Sequence, residues 1–421
     1  VIECNSLLSR KVRFNKEAAM RKSTKYFILA LAIVLVTGLS ASTQKVEQVD
    51  GVRVVHNAKQ GIWGDEPKLG IELVRTLGEL EAKDENVAFN LPSDVALDKD
   101  GNIYILDSGN HRIQKFGPDG QYLATIGRKG QGPGEFVYPE SIDIDGSGFI
   151  YVSDPNNQKI QVLTPEGKEF RTIRMIDEQP GIVRLTGSGG MVMAAGSRVM
   201  MFSGGEDEPK ELPKLIKILD AQGAVQKEFG EARDYKNMLL NRAANGIQTA
   251  LDQRGNVYLA FSYQNRVEKY SPDGRLLWRA DRELDYTTEP KDKGKMERRG
   301  GAMSYRGPQL NTCAVGVAAD SQGRVWVASL QRQLKEEEQA RMRFQMTMGG
   351  EERNISMKTE GNVELRNTDA YRLEVYDPDG SLLGIIPLDR FVDGIRIERD
   401  RLFFIDQMRG AQVLEYRIVE K

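Results

Sequence analysis

The sequence is poor in the groups from which metal centres and nucleophile relays are built. Its 421 residues include two histidines and two cysteines. His56 and His111 stand alone, with no CxxC or HExxH pattern around them. A zinc site built on several histidines is therefore excluded. Cys4 lies ahead of a leader-like segment, which leaves Cys313 alone in the apolar run CAVGVAA. A single cysteine forms no intramolecular disulfide, so a buried, inert thiol is expected there. Stability must come from packing and sheet closure. Charge of one sign is also lacking: the formal net charge is −2. No global field then favours nucleic acid or an anionic membrane, and no dense basic patch with interleaved aromatics occurs outside 291–307.

Long apolar runs are missing except near the start. After Met20 come Arg21, Lys22 and Lys25, then YFILALAIVLV (Tyr26 to Val36), then small residues. A basic start, a short apolar run and a small-residue end have the form of a secretory signal peptide. The run is short for a membrane span. Residues 1–43 are read as an upstream extension plus this leader, with Met20 as the true start. The mature chain is expected in the periplasm or outside the cell, without an integral span. Residues 44–68 are read as a polar linker.

What the chain has in quantity is glycine, 42 residues, placed at turns between short β-patterned runs. The stretch 91–127 defines a unit: Asp98, Gly101, Ile103-Tyr104-Ile105, Asp107, Arg112 and Pro118-Asp119-Gly120. It recurs 47 positions on as Asp145, Gly148, Ile150-Tyr151-Val152, Asp154, Lys159 and Pro165-Glu166-Gly167. Recurrence at a fixed period marks a repeat architecture. A third, degraded unit ends in LIKILDAQGAVQKEFG. A fourth starts at Asp252 and a fifth at Asp320. A sixth runs from Phe391 and lacks its fourth strand. Residues 71–77 (IELVRTL) resemble a fourth strand and precede the first unit. The N-terminus is therefore expected to complete the last unit and close a ring. The fold predicted for 69–421 is all-β: a six-bladed β-propeller of four-stranded antiparallel blades.

The runs IYILDSGNHRIQKFGPDG and IYVSDPNNQKIQVLTPEG, with GQGPGEFVYPESIDID between them, resemble NHL-repeat propellers of the exported bacterial type. The resemblance covers roughly 69–421. It implies the six-bladed fold and no single activity, since such propellers include binding platforms and some enzymes.

With strands lettered a to d outward from the axis, the short a–b and c–d turns share one plain face. The b–c loops and the connections to the next blade share the other, here the top. Three insertions emerge on the top: 198–214, 279–313 and 331–370. The second is basic, with Arg298, Arg299 and Arg306. Within the third, residues 332–345 are read as a short helix with Glu337 and Arg341 as an i,i+4 pair. At the ends of strands b and the starts of strands c, Asp107 with Arg112, Asp154 with Lys159, and Asp406 with Arg409 recur, and Arg266 repeats the base. Two uses are open for them: bonding their own loops, or a charged ring offered to a ligand. Asp94, Glu140 and Asp393 fall where strand a meets the channel mouth. Such carboxylates could bind Ca²⁺, and lactonase-type propellers similarly hold a cation there.

The leading expectation is an exported, non-catalytic and monomeric scaffold needing no cofactor. It would bind a protein, peptide or glycan on its loop-rich top face. The alternative is a divalent-cation-dependent hydrolase or lyase of lactonase-like type, with its site at the channel mouth.

Overall fold

The computed structural model describes residues 44–421 apart from 80–81, 176–178, 196–210, 300–301 and 350–351. Side chains at 195, 297–299, 302–305, 342–349 and 352–358 are also outside it. The leader and most of the first insertion therefore lie outside the described residues. The remainder is a six-bladed propeller. Blade one is Pro92–Leu97, Ile103–Asp107, Arg112–Phe116 and Tyr122–Ile126, paired in that order and all antiparallel. Blade two spans Ser141–Ile144 to Glu169–Arg174, and blade three Pro180–Leu185 to Val225–Phe229. Blade four spans Ile247–Leu251 to Leu276–Arg282. In blade five the last two strands, Tyr371–Tyr376 and Leu382–Pro387, follow the long insertion.

Blade six closes the ring as the sequence predicts. Its own strands are Gly394–Glu398, Arg401–Asp406 and Gln412–Glu420. Its outer strand is Leu69–Leu77, antiparallel to Gln412–Glu420 from Leu69 opposite Glu420 to Leu77 opposite Val413.

The repeat is held by chemistry that recurs from blade to blade. In the a–b turn, the Asp98 carboxylate accepts from the Asp100 and Asn102 amides, both at 3.0 Å, and from the Tyr104 hydroxyl at 3.1 Å. Asp252 does the same for Arg254, Asn256 and Tyr258, and Asp320 for Gln322, Arg324 and the Trp326 indole. One carboxylate thus builds the turn and anchors the aromatic that the next strand buries. Strand c carries a second recurring device, a buried polar residue at its centre. Gln114 and Gln161 donate to the carbonyls of Asn86 and Glu135 on the incoming connection. In blades four to six the residue is Glu268, Glu374 or Glu415, each clasped by two arginines: Arg266 with Arg279, Arg372 with Arg282, and Arg75 with Arg401. A carboxylate buried this deeply is tolerated only when paired and hydrogen-bonded.

The segment 44–68 is not a linker. Lys45–Val49 and Val52–Asn57 form a hairpin whose turn, Asp50-Gly51, has φ of 51° and 80°. Positive φ at both central residues is the type I′ geometry that favours Asp-Gly. The second strand lies parallel to Leu276–Arg282, so blade four has six strands. Val55 is fully buried there with Trp278, Tyr376 and Leu382. Asn57 then ties blades four and five, donating to the carbonyls of Asp281 and Gly380 and accepting from the Leu382 amide at 2.7 Å. Ile62 and Trp63 bond to Leu382 and Leu383, and a Cβ on Gly384 would sit 2.2 Å from the Trp63 ring. The segment is a strap that crosses the outer edges of blades four and five before entering blade six. The Val-rich strand and the Asp-Gly signal were both present in the sequence; surrounding polar residues masked them.

Replacing Val55 with Ala removes two buried methyl groups and should lower stability by about 2 kcal/mol in urea unfolding. Asp50→Asn, which suits the same turn, should leave the midpoint unchanged. An unchanged midpoint for Val55→Ala would show that the strap does not carry load.

Candidate functional site

The top face is where sequence reasoning placed function, and most of its charged groups prove to be spent on the fold. Asp107 is fully buried. It accepts from the Asn90 amide at 2.7 Å, from the Asn110 side chain at 2.8 Å and from Arg112 Nε at 2.8 Å. Arg112 continues to the carbonyls of Glu85 and Ala88. Burial pushes the Asp107 carboxyl up, against those bonds. In blade two Asp154 accepts from the Val137 amide and from Asn157, while Lys159 donates to the carbonyls of Gln131, Gly132 and Glu135. Burial pushes Asp154 up to about 6 and Lys159 down. His111 is likewise buried, with Nδ1 accepting from the Tyr138 amide, and burial pushes it down to about 4.

Arg266 binds Glu268 and stacks 4.2 Å over Phe261. Asp406 accepts from the amides of Arg409 and Gly410. The Arg409 guanidinium lies 3.5 Å over the Phe391 ring and donates to the Glu338 carbonyl. The reading of these groups as a charged ring offered to a ligand is therefore corrected. In blades one, two and four they stitch the b–c loop to the connection that enters the blade, and in blade six Arg409 reaches the blade-five insertion at the Glu338 carbonyl. Arg306 is exposed and pairs with Asp292 at 2.8 Å. The Arg298 and Arg299 side chains lie outside the described residues.

The three carboxylates assigned to a cation do not converge. Asp94 faces the axis, where Arg184 holds both of its oxygens, at 2.7 and 3.3 Å, and Arg396 stands 3.6 Å away. Its Oδ2 also accepts from the Ile142 amide. Asp393 turns instead into blade six, where its Oδ2 accepts from the amides of Gln407 and Met408. Burial, then the Asp406 carboxylate, push Asp393 up to about 6. Glu140 is half-buried at the start of blade two. Among the described residues no three acidic, histidine or cysteine groups come together as a metal site. The geometry gives the calcium reading no ligand set, because Asp94 stands at the ladder level of Ser141 and Gly394, one residue beyond that of Glu140 and Asp393, and successive residues of a strand point to opposite sides.

The second and third insertions are built differently from the expectation. The predicted helix at 332–345 is a 3₁₀ turn, Glu336–Glu338, followed by the strand Ala340–Gly349. That strand pairs with Glu352–Gly361 over its whole length. The residues ARMRFQMTM alternate apolar and polar, which is the period of a strand, and this outweighs the single i,i+4 ion pair that favoured a helix. The hairpin stands on a charged root. Arg332 holds both oxygens of Glu338 at 2.7 Å and also pairs with Asp369, and Thr368 donates to Glu338 at 2.8 Å. Arg332 holds the Glu338 carboxyl down to about 2. The blade-four insertion contains a second hairpin, Lys295–Arg299 with Ala302–Arg306. Each hairpin is a separate two-stranded sheet.

This architecture defines the class: a six-bladed β-propeller with a strapped outer edge and hairpin arms on one face. The family model DUF5128, described as 6-bladed beta-propeller, matches residues 79–277. No curated protein matches the sequence. Among solved structures, the chain is similar to a member of the DUF4221 family from Bacteroides vulgatus, at TM-score 0.52 and 10% identity over 84% of this chain and 99% of that one. It is also similar to a Bacteroides fragilis protein described as a candidate for export (TM-score 0.49, 11% identity, 87% and 100% covered). A gluconolactonase from Xanthomonas campestris is similar at TM-score 0.44 and 12% identity, with 79% and 87% covered. At 10% identity the likeness to the DUF4221 member shows the fold alone.

Asp393 yields a pH test. An unfolded aspartate titrates near ~3.9, so a folded value of about 6 means that protonation stabilises the fold. That contribution is complete below the unfolded value and is lost as pH rises through about 6. The wild type should therefore gain stability relative to Asp393→Asn as pH falls from 7 to 5, read from urea midpoints. Parallel pH profiles would show that the carboxyl is not so buried.

Proposed function

We propose that this protein is an exported, non-catalytic propeller that binds an extended segment of a partner protein or peptide through its top face. The blade-four and blade-five hairpins are its contact arms. The observation that carries this reading is the pair of isolated two-stranded sheets, Lys295–Arg306 and Ala340–Gly361, each with strand edges that no other described strand covers. An open edge presents a row of unpaired amides and carbonyls, a template for an added strand. The Arg332–Glu338–Thr368 root is the kind of rigid base such an arm needs. Export follows from the leader at 20–43. No helix among the described residues is long and apolar enough to cross a membrane. A glycan ligand is the less favoured occupant, because the arms offer backbone edges.

The test replaces 340–361 with a short Gly-Ser turn and compares partner capture from the exported fraction with that of the intact chain. The variant should keep its melting temperature within a few degrees and lose at least tenfold in affinity for the captured partner. Undiminished capture, or a partner that proves to be a glycan bound equally by both chains, would overturn the reading.

A further inference from the structure

The blade-five hairpin, Ala340–Gly349 with Glu352–Gly361, sorts its residues onto two unlike faces. In its ladder Met342 stands opposite Thr359, Phe344 opposite Met357, Met346 opposite Ile355 and Met348 opposite Arg353. Residues directly opposite one another share a face, and successive residues of a strand alternate between faces. One face therefore takes the positions of Met342, Phe344, Met346, Met348, Ile355 and Met357, an apolar block. On the other, the first strand places Arg341, Arg343, Gln345 and Thr347. The two strands form a sheet of their own, so the outer edge of Ala340–Gly349 pairs with no other described strand.

Two properties of that edge select what can be added to it. The first is its period. An added strand continues the ladder, so its own residues alternate between the same two faces. Every second residue then extends the row Met342, Phe344, Met346 and Met348, and the rest extend the row that begins with Arg341 and Arg343. A charge within the apolar row would blunt the edge against pairing, and the row contains none. Four of the chain's 14 methionines stand in this hairpin, and flexible thioether side chains suit partners whose apolar residues vary. The second property is charge. Ala340–Gly349 holds two arginines and no acid. Arg341 is exposed and donates to the neutral Gln339 side chain at 2.6 Å. In the neighbouring blade, 291–306 adds six basic residues against two acids, and one of those acids, Asp292, is already paired with Arg306. A second copy of the same strand would bring no acid to meet the arginines. A lipid surface is also a poor match: in sequence the two strands are joined through Gly-Gly-Glu-Glu (349–352), and adjacent carboxylates oppose entry into an apolar layer.

We propose that the outer edge of Ala340–Gly349 takes an extended peptide segment in which apolar and acidic residues alternate. The segment adds as a third strand, its apolar residues continuing the methionine face and its acids beside Arg341 and Arg343. This inference rests on the reading of the blade-five hairpin as a contact arm, and it names the chemistry of what that arm contacts.

The experiment is fluorescence anisotropy of labelled peptides titrated with the full chain. The probe is a peptide of four valine–glutamate pairs. Controls of the same length are valine–lysine, valine–serine, and a valine–glutamate peptide N-methylated on every residue, which can donate no ladder hydrogen bond. The probe should bind roughly tenfold or more tightly than each control, and its margin over valine–serine should shrink as salt rises. Arg341→Glu together with Arg343→Glu should move the preference to valine–lysine. The melting temperature should stay unchanged, because the hairpin is separate from the blade sheets. The chain lacking 340–361 should bind no peptide. The proposal is overturned if the probe does not saturate at millimolar concentration, if valine–lysine or the methylated peptide binds equally well, or if the charge reversal leaves the order of affinities unchanged. Self-association or vesicle binding that needs 340–361, without peptide binding, would overturn it in favour of a second copy or a lipid surface. A captured partner that still needs 340–361 while no peptide discriminates would remove this inference and leave the arm standing; capture undiminished by the deletion would remove both.

Discussion

The ring depends on one strand pairing, Leu69–Leu77 with Gln412–Glu420. Five blades each take their four radial strands in sequence order from one stretch of the chain. The sixth is made by opposite ends of the described chain, so its pairing converts a row of blades into a closed ring. An unclosed row would expose the outer edge of blade six and leave Glu415 with one of its two arginines, since Arg75 comes from the closing strand. A buried carboxylate and a buried apolar strip are therefore satisfied in the same step. The strap extends that closure: Val55 and Trp63 cover the outer edges of blades four and five on the way to blade six.

Within the ring, the same few polar residues are reused. An aspartate folds the a–b turn of blades one, two, four and five, an acid folds the b–c loop of blades one, two and six, and a glutamine or glutamate centres strand c in every blade but the third. These are buried groups that must be bonded, and each bonds to whatever element its blade brings near. Recurrence therefore marks structural duty. The departures from the repeat are what remain available: alanines in place of charged side chains at the axis of blades four and five, and hairpins in place of tight loops.

Much of this was readable in the sequence. Turn glycines, the 47-residue recurrence and the IELVRTL strand specified six blades and their closure. The b–c loop acids could be read as structural or functional, and only their burial decided it. Two features were present in the sequence but misread. The Asp50-Gly51 hairpin was hidden in a polar context, and the alternating ARMRFQMTM strand was outweighed by an ion pair at helical spacing. The axial site was misplaced for a different reason. Alignment by repeat correctly put Asp94, Glu140 and Asp393 on equivalent strands, but it carries no information on which arginine from another blade reaches each one.

Local chemistry is written residue by residue, and so the sequence by itself determined the strands, the turns, the number of blades and the closing element. Those follow from backbone conformation and from the two-residue period of a half-buried strand. The tertiary structure alone decided which charges are spent and which are left. Arg184 and Asp94 are ninety positions apart, and Arg396 lies beyond both. Their meeting at the axis, and the empty space beside Ala250 and Ala318, arise only when six blades share one centre.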